Sequence, residues 1–219
     1  MVKQGFLNLT ADEQNKIIDA ALDEFASKDF ETASLNSIIT KAGISKGSMY
    51  HYFASKEDLY VYIIQQVVKT KERFLSHALT TSEKPLAEMS FFENLEFQML
   101  ASVDFAAQHN REHQLSIRMQ NMAENPLKER LTGELTGAFE EYIKKMVDEA
   151  MKAGEIRDDF DKGFVTRILK FTLMHFVDIY PDSKNFVVED SAALKEEARK
   201  LSAFLRKGLQ KDSNKEETK

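Results

Sequence analysis

The order of apolar and polar positions divides the chain into a series of helices. After residue 11, apolar side chains recur three or four positions apart, as at Ile17, Ala21 and Phe25, with acidic residues between them. This spacing places the apolar residues on one face of an α-helix. No segment shows a credible strand pattern. The pattern therefore predicts an all-α protein.

Polar residues at cap positions mark where the helices begin. Thr10 and Glu13 have the spacing of a capping box, in which each side chain binds the amide of the other residue. The helix that starts there should end near Lys28. Ser55 is the predicted N-cap of a later helix, which should reach the polar break that begins at Thr80.

Two short helices are predicted between these longer ones. Ser34 is the expected N-cap of the first, and Gly43 should end it in the left-handed conformation. Ser45 can cap the second almost at once, and that helix should reach about Tyr52. Two short helices joined by Ala-Gly-Ile-Ser leave no room for a strand, so residues 34–53 are predicted to form a helix-turn-helix.

Longer helices are predicted beyond the polar break, over residues 86–108, 111–123, 127–152, 164–180 and 192–209. Pro126, Gly154 and Pro181 lie at the ends of these segments and are expected to terminate them. The helix over 164–180 is apolar on more sides than one core can use, which favours a homodimer. The charged tail over 211–219 is expected to fray.

Composition excludes several classes of function. The chain of 219 residues has no Cys, which excludes disulfides and cysteine chemistry, and 42% of its residues are hydrophobic. It has no apolar run long enough to cross a bilayer and no signal peptide pattern, so we expect a cytoplasmic protein without membrane contact. The net charge is −6, but residues 32–56 carry three Lys and no acid. That window is weak support for a surface that faces a polyanion.

The residues 42–59, AGISKGSMYHYFASKEDL, resemble the signature of the TetR family of bacterial regulators. The likeness covers roughly residues 10–65 and extends back through Ile38 to residues 30–32 and 20–25. It implies an N-terminal three-helix DNA-binding domain over 10–70 and a larger C-terminal domain for ligand binding and dimerisation over 71–210. A palindromic double-stranded DNA operator is the implied partner.

Small polar residues and donors at the start of the second short helix suit entry into a major groove. Ser45, Lys46, Gly47 and Ser48 fit this need, and Lys56 resembles a phosphate anchor at the next helix start. The resemblance implies DNA contacts at Asn36, Lys46, Gly47, Ser48, Tyr50, Tyr52 and Lys56. Met49 and Phe53 are expected in the core. Tyr50 has an alternative place, packed on the first predicted helix.

The resemblance also implies a dimer formed by the last two helices and an effector that enters the C-terminal domain. Apolar and polar residues on its helices are candidates to line a cavity for a small, mainly apolar ligand: Phe92, Met99, Phe105, Met119, Phe139, Phe171 and His175. Most of these would equally serve as core. His109 and His113 are four residues apart, but no third metal ligand follows by spacing, so no metal or cofactor is expected.

Two other classes of function compete with a regulator. An enzyme is disfavoured because the chain has no phosphate loop, nucleophile elbow or zinc-protease motif. A helical adaptor that no longer binds DNA remains an alternative, disfavoured by the acid-free window. Repression is favoured over activation, because a dimer that occupies a promoter blocks polymerase and no activation segment is evident.

Overall fold

The structure, a computed structural model, describes residues 2–175 and 191–211, except for the side chains of residues 134–136 and 138. In these residues it contains the helices α1 (Gln4–Leu7), α2 (Ala11–Ser27), α3 (Leu35–Ala42), α4 (Lys46–Tyr52), α5 (Lys56–Thr80), α6 (Phe91–Gln108), α7 (Asn110–Asn121), α8 (Pro126–Lys152), α9 (Lys162–His175) and α10 (Ser191–Leu209), with a short 3-10 helix at Leu86–Glu88. The described residues form isolated β-bridges but no strand. The all-α prediction is confirmed.

The predicted caps lie where the sequence placed them. The Thr10 amide donates to the Glu13 carboxylate at 2.9 Å, and the Glu13 amide donates to the Thr10 hydroxyl at 3.4 Å. Ser34 accepts from the amide of Ser37, which starts α3. Ser55 accepts from an amide in the first turn of α5. These bonds satisfy amides that have no partner inside a helix, so the local sequence sets where the helices begin.

Two features near helix starts differ from the prediction. Leu86 was expected to begin a continuous helix, but it lies in a separate 3-10 turn, and α6 begins at Phe91. Ser90 and Glu93 form a second capping box there, since each accepts from the amide of the other. The helix α1 was not predicted, because four residues are too few to show a periodic pattern. The helix end predicted at Tyr180, and residues 212–219 of the tail predicted to fray, lie outside the described residues.

The chain divides into two compact units. The first comprises residues 1–74 and 108–134, and the second comprises residues 75–107 and 135–219. In the first unit, a core of apolar side chains from α2 to α5 includes Phe25, Ile38, Met49, Phe53 and Ile63. The boundary predicted at residue 70 left residues 108–134 in the later domain, whereas in the structure they pack with the first unit.

The helix α7 packs against α2 within the first unit. Arg118 of α7 donates to the carbonyl oxygens of Ala26 at 2.8 Å and Ser27 at 3.2 Å, which lie at the end of α2. Those carbonyls have no partner inside α2, so the guanidinium caps that helix. Arg111 of α7 forms ion pairs with Asp19 and Asp23, which lie one to two turns before the C-terminal end of α2. Long-range ion pairs therefore fix α7 to α2.

The second unit has its own core, built from α6, α8, α9 and α10. Leu95, Met99, Ile143, Leu169 and Ala198 are fully buried in it. Lys195 pairs with Asp104 at 2.6 Å and joins α10 to α6. Among the helices in the described part of the chain, none is long and apolar enough to cross a membrane.

Candidate nucleic-acid interface

The turn between α3 and α4 has the geometry of a helix-turn-helix. Gly43 ends α3 with φ +68°, a backbone conformation that favours glycine. Its amide donates to Thr40, and the amide of Ile44 donates to Ile39, so the last carbonyls of α3 have partners. Ser45 follows and begins α4. The predicted role of Gly43 as the turn residue is confirmed.

The helix α4 presents one buried and one exposed face. Met49 and Phe53 are buried, as predicted, and anchor the helix to the core of the first unit. The Ser45 hydroxyl accepts from the Ser48 amide at 2.9 Å and lies 2.8 Å from the Ser48 hydroxyl. This cap fixes the first turn of α4, so the outward side chains are held on a defined backbone.

The exposed face of α4 carries most of the residues predicted to contact DNA. Lys46, Gly47 and Tyr50 are exposed, and the Tyr50 side chain is 45% accessible, so it is not packed in the core beside α2. Tyr52 is half-buried. Asn36 is exposed on α3, which packs against α4. These side chains provide hydroxyl, amide and ammonium groups, the types that bind base edges and phosphates.

His51 also lies on this exposed face and was not predicted as a contact. Its imidazole can donate or accept hydrogen bonds, as a DNA contact requires. The sequence could have indicated this exposure, because His51 lies between Tyr50 and Tyr52, and the buried anchors of this segment are Met49 in α4 and Phe53 directly after it. Helical geometry puts His51 away from those two anchors.

A glycine at position 47 is not required by the fold. A Cβ there would meet only the Ser45 hydroxyl, at an ordinary 3.7 Å. Glycine inside a helix costs about 0.5–1 kcal/mol relative to alanine. Its presence on an exposed helix face is therefore unexplained by packing within this unit, and it agrees with a surface whose backbone must approach another molecule closely.

Lys56 has a structural role that the sequence did not indicate. Its ammonium donates to the carbonyl oxygens of Phe30 at 2.6 Å, Ala33 at 3.0 Å and Glu31 at 3.3 Å. It also lies 4.5 Å from the centre of the Phe30 ring. An ammonium has three donors, and all three point into the loop between α2 and α3. The structure thus directs Lys56 to this loop, and its phosphate contact stays a prediction.

The positive charge of the acid-free window is smaller than the sequence suggested. Lys41 is paired with Asp23 of α2, and Lys56 is bound to the loop carbonyls. Lys46 makes no ion pair within the described part of the chain. The exposed face of α4 therefore offers hydroxyl groups, exposed backbone and one lysine, and it is not a broad basic patch.

Glu24 of α2 joins that helix to the start of α3. Its carboxylate accepts from the Ser34 amide and the Ser37 hydroxyl, at 2.8 and 2.9 Å, and from Lys28 of its own helix. Burial by itself would raise the pKa of Glu24, but these hydrogen bonds outweigh it and hold the pKa below its ordinary value. The start of α3 is therefore fixed to α2 by a buried carboxylate.

The predicted ligand residues are not all in one place. Phe92 and Met99 are buried in the core of the second unit, and Phe139 packs on that core. Phe105 is buried on α6. Phe171 is 65% exposed on α9, with the His175 ring 4.7 Å away. Met119 lies on α7, in the first unit. A lining role for these residues stays a prediction.

The predicted histidine pair lies partly inside the first unit. The ring of His109 is 5.6 Å from the ring of Phe74, so it is not a freely solvated helix end. Burial, together with the charge of Lys71, lowers the pKa of His113 to about 4. No group of three or more possible metal ligands occurs in the residues that the structure describes.

A capped helix-turn-helix with a polar exposed second helix defines the class of all-helical, DNA-binding transcriptional regulators. The family model described as "Bacterial regulatory proteins, tetR family" matches residues 17–63, which include α3 and α4. The helix-turn-helix domain of this chain is therefore of the TetR type.

Curated relatives are regulators, and a solved structure shows the same fold. The transcriptional regulator UidR of Escherichia coli (strain K12) is 27% identical over 156 residues, which are 71% of this chain and 75% of UidR. The fatty acid metabolism regulator protein of Bacillus subtilis is 25% identical over 164 residues, 72% of this chain and 78% of that protein. The crystal structure of a TetR family regulator from Chloroflexus aurantiacus has the same fold, with a TM-score of 0.73, 24% identity and coverage of 97% of this chain and 100% of that one.

Proposed function

We propose that this DNA-binding regulator is a repressor that binds a palindromic operator as a homodimer and is released by a small, mainly apolar effector. The observation that carries the proposal is the exposed face of α4, held in place by a cap and two buried anchors. The proposed DNA contacts are Asn36, Ser45, Lys46, Gly47, Ser48, Tyr50 and Tyr52, with His51 added from its exposure.

Tyr50 and Lys46 are the most informative contacts to test. Tyr50→Ala and Lys46→Ala should each weaken binding to an operator duplex by about tenfold or more, because each removes a group that can reach a base or phosphate. Neither should lower the melting temperature, since both side chains are exposed. Tyr142→Ala is the matched control, because Tyr142 is 42% exposed on α8, in the second unit.

Full operator retention by both α4 variants in a gel shift would overturn the assignment of α4 as the reading helix. Failure of the unmodified protein to bind any duplex would favour the alternative function, a helical adaptor that no longer binds DNA. The operator for these assays is a duplex that the unmodified protein selects from random DNA.

Exposed apolar side chains on the last two described helices support a homodimer. Phe164, Ile168 and Phe171 are spaced four and three residues apart on α9 and are 41%, 39% and 65% exposed. This spacing places them on one face of the helix. Phe204 on α10 is 73% exposed. A second copy that covers these side chains would remove them from water and set the separation of two reading helices at about 34 Å, one turn of DNA.

Light scattering tests the dimer. Ile168→Glu should convert the protein to a monomer at micromolar concentration and weaken operator binding, because a buried unpaired charge opposes association. Leu86→Glu adds the same charge at a residue that is 45% exposed and lies outside the α9 face, so it should leave the dimer intact. A monomeric unmodified protein would contradict the proposal.

The effector is proposed to bind among the apolar side chains of the second unit, near Phe92, Met99 and Phe139. The name of the Bacillus subtilis relative, a fatty acid metabolism regulator, supports an apolar compound. A chain-length series of saturated fatty acids should therefore be tested for release of the operator duplex, with Met99→Ala as the variant that alters the site. Absence of release by any apolar compound, with DNA binding intact, would contradict this part of the proposal.

A further inference from the structure

The segment that precedes α2 is bound to the end of the reading helix α4. The backbone amide of Lys3 donates to the carbonyl of Tyr52 at 2.9 Å, and its ammonium donates to the carbonyl of Tyr50 at 2.8 Å. Val2 forms a bridge with Phe53. The last carbonyls of a helix have no partner inside it. Lys3 therefore supplies two of the partners that α4 lacks.

The same segment inserts an aromatic side chain beneath α4. Phe6 is fully buried, with ring centres 5.0 Å from Phe53, 5.2 Å from Tyr62 and 6.2 Å from Tyr52. Tyr52 is the last residue of α4, Phe53 follows it directly, and Tyr62 belongs to α5. Phe6 thus joins the reading helix to the next helix of the domain through aromatic contacts.

A close approach of backbone and side chain completes this contact. A Cβ on Gly5 would lie 2.4 Å from Nε2 of His51, so the backbone of the segment passes close to the edge of the His51 imidazole. Leu7, the neighbour of Phe6, is by contrast 50% exposed. The contact is therefore specific to one face of α1.

The reading helix needs such support. It has seven residues, fewer than an isolated helix requires to be stable, and its exposed face gains nothing from packing. The family model begins at residue 17, so the segment lies outside the matched part of the chain. We propose that residues 2–7 are a positioning element that fixes the end of α4, and with it Tyr50 and His51, for specific DNA binding. This inference rests on the proposed function.

The effect on binding should distinguish specific from unspecific DNA. An α4 that is free to move can still contact phosphates, but it loses the fixed geometry that base contacts need. Phe6→Ala should therefore raise the Kd for the selected operator by about tenfold and the Kd for an unrelated duplex by about twofold or less. The salt dependence of operator binding should not change, because no charge is removed.

The experiment compares Phe6→Ala with Leu7→Ala and Phe6→Leu in the full chain, by fluorescence anisotropy below the melting temperature of every variant. Leu7→Ala should leave both Kd values within about twofold, and Phe6→Leu should restore most of the operator affinity by refilling the site. Hydrogen exchange at the Lys3 amide measures the docked segment directly. That amide should exchange slowly in the unmodified protein and faster in Phe6→Ala.

Each outcome has a defined meaning. The proposal is wrong if Phe6→Ala binds the operator as tightly as Leu7→Ala does. It is also wrong if the Lys3 amide exchanges freely in the unmodified protein. Equal losses for both duplexes also overturn it, since they indicate general unfolding. If Phe6→Ala does not fold, Lys3→Met takes its place, because it removes the bond to the Tyr50 carbonyl from an exposed site. The operator and unrelated duplexes are then compared at one salt concentration, since this variant also loses a charge. Absence of DNA binding by the unmodified protein refutes the proposed function instead.

Discussion

Replacing Lys56 by Met separates its two possible roles. The methionine keeps an unbranched apolar chain beside the Phe30 ring but removes the ammonium. In the structure that ammonium is held by the carbonyl oxygens of Phe30 and Ala33, both in part-buried hydrogen bonds, and more distantly by that of Glu31. We expect Lys56→Met to destabilise the first unit while the intrinsic operator affinity of the folded protein changes little.

The size of the effect follows from the contacts that are lost. Each part-buried bond to a charged donor is worth about 1–2 kcal/mol here, at the lower end of the usual range because water can reach the exposed loop. The ring contact adds about 0.5–1 kcal/mol. The free energy of unfolding should therefore fall by roughly 2.5–5 kcal/mol. For a chain of this length, that lowers Tm by about 5–20 °C.

Thermal unfolding and DNA titration together provide the assay. Lys56→Met and Lys46→Met are compared with the unmodified protein at a temperature where all three are folded. A lost phosphate contact reduces the slope of log K against log salt concentration by about 0.9 per site. Lys46→Met should show this reduced slope with an unchanged Tm. Lys56→Met should show a lower Tm with an unchanged slope.

A Tm of Lys56→Met equal to that of the unmodified protein would refute the assignment of Lys56 to the loop. A smaller salt slope for the folded Lys56→Met protein would show that the ammonium binds phosphate in the complex. In that case the loop contact would describe only the free protein.

Three further substitutions test other parts of the first unit. Gly47→Ala should raise stability by about 0.5–1 kcal/mol, measured by urea unfolding, yet weaken operator binding; improved or unchanged binding would show that DNA does not approach this backbone. Glu24→Gln should lower the free energy of unfolding at neutral pH by about 1–3 kcal/mol, because a charged acceptor of three hydrogen bonds is lost; an unchanged urea midpoint would contradict this. The pKa of His113 is lower in the folded protein than in the unfolded chain, so the unfolded chain binds the proton more tightly. The free energy of unfolding should therefore fall by about 3 kcal/mol between pH 6.5 and pH 4. His113→Gln should make the free energy of unfolding depend less on pH over this range.

Much of the fold could be predicted because local signals specify it. The capping box of Thr10, the serines that start α3 and α4, and the positive φ of Gly43 depend on bonds between residues close in sequence. The exposed face of α4 followed from the same local information, since the anchors Met49 and Phe53 determine which side chains point away. The capping box of Ser90 and Glu93 has the same local spacing as that of Thr10 and Glu13.

The roles of single charged residues could not be predicted in this way. Lys56 follows a helix cap near the reading helix, and its sequence position alone fits a phosphate contact. Only the folded chain brings it to carbonyl oxygens 23–26 residues away. Lys41 similarly meets Asp23, eighteen residues earlier. Charge counted along the chain overestimated the charge that remains on the exposed face.

The sequence by itself determined the helices, their caps and the helix-turn-helix, because hydrogen bonds within a few residues and the helical repeat of apolar positions fix these features. Tertiary structure alone decided which side chains fix α2, the loop after it and α4 in place. Phe6 under α4, Arg118 on the end of α2 and Lys56 in the loop all act across long stretches of chain. Such contacts carry no periodic signal, since they depend on where unsatisfied carbonyls and apolar gaps come together after folding.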